Sequence, residues 1–184
     1  MHIEPVAENI EANRISIRQI RPDDNETLAK VIRATLTEFG AARPGTVYYD
    51  STTDALYELF RKKGSIYYVA EKDGSIVGGG GIYPSDGLPE DTCELVKMYL
   101  VPEARGRGIG KHIILKCLEA ARQQGFQRVY LETMPELETA IGVYEKFGFR
   151  HLDGPLGNTG HFGCSRWMLL DLGRRTTNDG RQNG

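Results

Sequence analysis

The sequence predicts a single domain of mixed α and β structure, an α/β class, and three observations carry that expectation. Stretches that alternate polar and apolar residues are interleaved with stretches whose apolar residues recur at helical spacing. The pair Asp73-Gly74 separates two apolar runs and marks a tight hairpin. The length, 184 residues with 40% hydrophobic content, suits one ordinary core with a tail.

Taken in order, Arg14 to Ile20 alternates as a half-buried strand does, and Pro22-Asp23-Asp24 ends it with an aspartate that can cap a helix. Leu28, Val31, Ile32, Leu36 and Phe39 then mark one helix face, closed by Gly40. A loop, AARPGTVYYDST, leads to a short helix bearing Leu56, Leu59 and Phe60. The hairpin strands are Ile66 to Glu71 and Ile76 to Tyr83. Thr92 to Val101 is a longer strand that meets Pro102 and a glycine-rich turn. A helix follows, with Ile113, Ile114, Cys117, Leu118 and Ala121 on one face and its end near Gly125. Arg128 to Thr133 is another strand, and Ala140, Ile141 and Tyr144 lie on a helix that stops at Gly148. A glycine-rich loop, Asp153 to Gly163, precedes a last strand from Ser165 to Leu170. Residues 1–172 make the expected domain, and residues 173–184, GRRTTNDGRQNG, a polar and disordered tail.

Composition narrows the function. Three cysteines without metal-ligand spacing build neither a disulfide framework nor a thiolate metal site. No apolar run reaches membrane-spanning length and the N-terminus lacks a signal pattern, so a cytoplasmic protein with no membrane partner is expected. The net charge of −2 gives no general attraction to nucleic acid. Charge is nevertheless uneven: Val101 to Arg128 holds six basic residues against two acidic ones. An anion is expected there.

The segment LVPEARGRGIGK, Leu100 to Lys111, explains that charge. Gly106, Gly108 and Gly110 lie between a strand and a helix, where glycine leaves backbone N–H groups uncovered and the helix start adds free donors. Arg105, Arg107 and Lys111 add full charges suited to phosphate oxygens. The pattern is a diphosphate cradle. It is not a Walker loop, which needs glycine where Arg105 stands and Ser or Thr where His112 stands. Nor is it the dinucleotide fingerprint, because its third glycine comes one residue early.

Arg105-x-x-Gly108-x-Gly110, preceded by a strand and Pro102, resembles the acetyl-CoA motif of the GNAT superfamily of N-acetyltransferases. The later run AIGVYEKFGF, Ala140 to Phe149, resembles the same family's second signature. The likeness is close from Glu94 to Phe149 and departs at Leu137, where many members carry an asparagine that touches the pantetheine arm. The resemblance implies a mixed, mostly antiparallel sheet flanked by helices, with two central strands splayed around acetyl-CoA as co-substrate. Pantetheine would pair with the backbone of Met98, Tyr99 and Leu100. The diphosphate would rest on Arg105, Gly106, Arg107, Gly108, Ile109, Gly110 and Lys111.

Amide formation needs an uncharged amine, whereas alkyl ammonium groups are protonated near neutral pH, so a general base should face the acceptor. Glu94 stands where several family members carry a catalytic glutamate, and Glu132 on the neighbouring strand is its rival. Tyr144 stands where the family places the acid that protonates the departing thiolate, and its ring also continues an apolar helix face. The four histidines have no spacing for a metal, so none is expected. Cys117 reads as core, Cys164 lacks an evident base, and His161 reads as part of an ordinary surface loop. The expected activity is acetyl transfer to a primary amine of a small molecule by direct attack in a ternary complex. A protein N-terminus or lysine as acceptor, and a CoA-sensing module without turnover, are the alternatives. The oligomeric state is open, a homodimer being the common default.

Overall fold

A computed structural model describes residues 14–173; the expected tail, from residue 174 onward, lies outside the described residues. The strands are β1 (Ile15–Gln19), β2 (Ile66–Lys72), β3 (Ser75–Tyr83), β4 (Thr92–Leu100), β5 (Arg128–Thr133), β6 (Arg150–Leu152) and β7 (Arg166–Asp171). The helices are α1 (Asn25–Glu38), α2 (Leu56–Leu59), α3 (Ile109–Gln123) and α4 (Glu138–Lys146). One seven-stranded sheet runs β1-β2-β3-β4-β5-β7-β6, antiparallel except where β4 meets β5. The short edge strand β6 escapes the sequence reading. Its three residues show no alternation of burial, and its pairing with β7 alone defines it.

Alternation along β2 sorts the core into two layers. Tyr67 and Val69 join Leu28, Ile32 and Leu36 of α1, with Leu56 and Phe60, on one face. Ala70 joins Ile109, Ile113, Ile114, Cys117 and Leu118 of α3, with Tyr144 and Phe149, on the other. Helices α1 and α3 thus bury the apolar stripes that their spacing predicts. Asp24 does stand at the start of α1, but its carboxylate does not cap that helix and reaches back to the preceding turn instead. It takes a bidentate pair of hydrogen bonds from Arg18 at 2.8 and 2.9 Å and one from the Arg21 N–H at 2.6 Å.

Two irregularities in the middle of the sheet make the site. The first is a β-bulge in β4: Gly81 pairs with Val96 but Gly79 pairs with Tyr99, so β4 holds one extra residue. Lys97 lies in it with φ at 51°. The glycines of β3 make room for the bulge. A Cβ on Gly81 would stand 2.5 Å from the Ile66 carbonyl and 2.8 Å from the Tyr67 ring. Tyr67 can therefore cross β3 and donate its hydroxyl hydrogen bond to the Lys97 carbonyl at 2.8 Å. The second irregularity follows. Strand β4 pairs with β5 only at Thr92, Cys93 and Glu94, after which the two part while β5 stays paired with β7 through Thr133.

Candidate active site

The fork between β4 and β5 opens into a cleft of about 310 Å³, lined among others by Met98 to Leu100, Gly106, Gly108, Lys111 and Tyr144. Beyond Glu94, the edge of β4 that faces β5 has no strand partner, which leaves its backbone groups for an extended ligand. The loop at its end is built as the glycines require. Gly106 and Gly108 have φ of 69° and 79°, and Gly108, the N-cap of α3, has no side chain of its own to cap the helix. The first N–H groups of α3 are therefore available to an anion.

The residues expected to hold the diphosphate divide in this structure. Lys111 is exposed and lines the cleft, whereas Arg107 is exposed but does not line it, and Ile109 is buried in the core. Arg105 already has partners. Its guanidinium donates to both Glu38 carboxylate oxygens at 2.8 Å and to the Leu100 carbonyl at 3.0 Å, and lies 5.1 Å from the Phe39 ring centre. It ties the end of α1 to the glycine loop.

A second cavity, about 240 Å³, shares Glu94, Val96, Lys97 and His161 with the cleft. Its roof is two turns in backbone contact. The Asn158 N–H donates to the Asp86 carbonyl at 2.9 Å, and a Cβ on Gly157 would stand 2.9 Å from that same oxygen. Five charged groups gather where the two spaces meet. Asp50 Oδ1 accepts from the Thr52 N–H and hydroxyl at 3.0 and 2.7 Å; Oδ2 faces Lys97 Nζ at 2.9 Å and His161 Nε2 at 3.5 Å. Glu132 Oε1 accepts from the Tyr130 hydroxyl at 2.8 Å; Oε2 accepts from Thr159 at 2.6 Å and faces His161 Nδ1 at 3.6 Å. Glu94 is different. Ser85 donates to its Oε2, and among the described residues Oε1 has no partner.

These surroundings set the charges. Burial pushes Glu94 up to about 7, aided by the nearby Glu132 charge and only partly opposed by the Ser85 hydrogen bond. Burial also works against ionised Glu132, but His161, Thr159 and Tyr130 together hold it below the usual carboxylate range. Burial alone would lower His161; the Asp50 and Glu132 carboxylates raise it instead to about 9. Its imidazole is thus a cation at neutral pH, clamped on both nitrogens.

His161 is therefore not the ordinary surface-loop residue expected: its side chain is 17% exposed and borders both cavities. Ligand atoms of Glu94, Glu132 and His161 lie within 4.8 Å of one another. Cys164 borders the cleft with its thiol raised by burial to about 12, and Cys117 is buried, so neither is an activated nucleophile. Sequence reasoning missed Asp50, Ser85, Lys97 and Thr159. A lysine inside the apolar run TCELVKMYL was the available signal, because a buried ammonium needs a partner.

The Acetyltransferase (GNAT) family model matches residues 29–149. This chain belongs to that family. A relative, the "uncharacterized N-acetyltransferase YjgM" of Escherichia coli K12, is 43% identical over 165 residues, 89% of this chain and 99% of that one. A GNAT-family acetyltransferase structure from Staphylococcus aureus Mu50 matches with a TM-score of 0.76 at 22% identity, covering 87% of this chain and 100% of its own. The structure of yncA, a putative acetyltransferase from Salmonella typhimurium with its cofactor acetyl-CoA, matches with a TM-score of 0.69 at 18% identity, covering 91% and 99%. The mixed sheet flanked by helices is a fold shared with these structures. No described helix is long and apolar enough to cross a membrane.

Proposed function

We propose that this acetyltransferase moves the acetyl group of acetyl-CoA to a primary amine of a small molecule by direct attack, with both substrates bound at once. Acetyl-CoA lies in the fork. Pantetheine pairs with the backbone of Met98 to Leu100, and the diphosphate meets the N–H groups from Gly106 to Lys111 and the Lys111 ammonium. Arg107 adds charge at the rim. The amine enters from the second cavity. Its size and two-turn roof favour a small acceptor over a protein N-terminus or lysine.

One observation carries the assignment: Glu94 borders both spaces and holds a carboxylate oxygen with no partner among the described residues. It takes the ammonium proton, leaving a lone pair that attacks the thioester carbonyl. Glu132 is a poorer base, because its oxygens are already occupied and its affinity for a proton is lowered. As the tetrahedral adduct collapses, the C–S bond breaks, Tyr144 donates its hydroxyl proton to the sulfur, and the second proton lost from the attacking nitrogen restores the tyrosine. A base with unmet hydrogen-bonding capacity also favours turnover over a sensing module.

The test is thiol release from acetyl-CoA across a panel of small amines. Glu94→Gln should retain acetyl-CoA affinity by calorimetry and lose about 10²–10⁴-fold in kcat/KM. With the carboxyl at about 7, wild-type kcat/KM should rise through that pH, and the variant should lack that limb. An unaltered kcat/KM in Glu94→Gln would sink the assignment.

A further inference from the structure

The charges lining the second cavity are not interchangeable, because most are already spent on one another. At its inner end Asp50 is saturated by Thr52, Lys97 and His161, and Lys97 is enclosed, with its Nζ 2.9 Å from Asp50 and 3.4 Å from the Thr53 hydroxyl. The inner group with hydrogen-bonding capacity left is Glu94, an acceptor. The other end holds Lys62. Its side chain is 45% exposed, its Nζ lies 4.0 Å from the 92% exposed carboxylate of Asp86, and its contact with the Pro84 carbonyl is long, at 3.4 Å. A pair so open to water is worth little, and Lys62 keeps its donors for a ligand. Tyr83, at the end of β3, touches both ends: its ring lies 4.9 Å from Lys62 Nζ, while its backbone pairs with Glu94 of β4. Leu59, Val96 and the Tyr83 ring give the cavity an apolar wall beside the neutral polar side chains of Thr52, Ser85, Asn158 and Thr159.

We infer that the acceptor is a primary amine that also carries a carboxylate, an amino-acid-like molecule with its amine at Glu94 and its carboxylate at Lys62. This rests on the proposed acetyl transfer at Glu94 and names the substrate class of that site. A diamine would set its second ammonium against Lys62, and a carboxamide would forgo the ion pair. The cavity lies below the roughly 300–1,000 Å³ typical of drug-sized ligands, which suits a metabolite of few heavy atoms.

The experiment compares four acceptors in the thiol-release assay: an α-amino acid, its carboxamide, the corresponding amine without a carboxyl group, and a diamine. Each is assayed with wild type, Lys62→Gln and Lys62→Glu. Side chains of varied size are included, because the apolar wall also selects. Wild type should prefer the amino acid. Lys62→Gln should raise its KM by about tenfold to a hundredfold, as expected for a lost charge-assisted hydrogen bond, with kcat and the carboxamide KM little changed. Lys62→Glu should move the preference to the diamine. Unchanged acetyl-CoA affinity in both variants shows that each is folded. Wild type that prefers the carboxamide or the diamine overturns the inference and leaves the acetyl transfer standing, as does an equal KM shift for amino acid and carboxamide in Lys62→Gln. Thiol release with none of the four acceptors overturns both readings.

Discussion

Removing one oxygen atom from Tyr144 separates packing from chemistry. The ring is 7% exposed and meets Phe149 edge-on, with centres 5.8 Å apart. The hydroxyl makes no hydrogen bond among the described residues, and the residue borders the cleft between β4 and β5. Burial raises the phenol above its ordinary value, so near neutral pH it holds its proton and acts as a donor. Tyr144→Phe should leave Tm unchanged, since no protein hydrogen bond is lost. If the hydroxyl protonates the departing thiolate, kcat should fall about 10²–10⁴-fold with little change in acetyl-CoA affinity. An acetyl donor with a more acidic thiol should recover part of the loss. Wild-type kcat in the variant, under conditions where acetyl transfer limits turnover, would reduce Tyr144 to packing.

At the scale of elements, the mouth of the cleft is held by the clasp between α1 and the glycine loop. Arg105 donates two hydrogen bonds to Glu38 and one to the Leu100 carbonyl, so phosphate contact by its side chain would require breaking a bidentate pair. The pair is partly exposed, with side chains 29% and 41% accessible, so its own contribution is modest. Arg105→Ala and Glu38→Ala should therefore weaken acetyl-CoA binding by similar, few-fold amounts, and the double variant should be no worse than either. Calorimetry on the three variants decides this. A loss in Arg105→Ala at least tenfold larger than in Glu38→Ala would place the guanidinium on the diphosphate.

The charged cluster belongs to the whole molecule, because it joins the loop before α2, the strands β4 and β5, and the loop before β7. It makes stability depend on pH. Folding raises His161 from 6.5 to about 9, so its contribution is full below pH 6.5 and is lost as pH rises through 9. Folding raises Glu94 from 4.5 to about 7, so the folded state binds the extra proton and loses that advantage across this interval. Asp50 is held below its ordinary 3.8, and its contribution is lost only as pH falls below that value. Stability should peak in mildly acidic solution, and Tm should be lower at pH 9 than at pH 6. His161→Gln should flatten the alkaline part of that curve. A wild-type Tm that rises from pH 6 to pH 9 would contradict these couplings.

What depends on neighbours along the chain is legible in consecutive residues. Alternation and helical spacing located the long elements, and glycines next to a strand and a helix start marked the anion loop. Position along the family's signatures singled out Glu94 and Tyr144. The short strand β6 was not legible, because three residues carry no period and only pairing with β7 makes them a strand. Alternation also misplaces Lys97: it sends the side chain to the α3 face with Cys93 and Leu95, whereas the bulge turns it toward Asp50. The choice between Glu94 and Glu132 lay beyond the sequence as well. It turns on which carboxylate oxygens other side chains have already filled, and those come from Ser85, Tyr130, Thr159 and His161. Periodicity and backbone donors are local properties, written in consecutive residues. Hydrogen-bond saturation and burial are properties of packing, and only the folded chain brings residues 50, 94, 97, 132 and 161 close enough to set one another's charge.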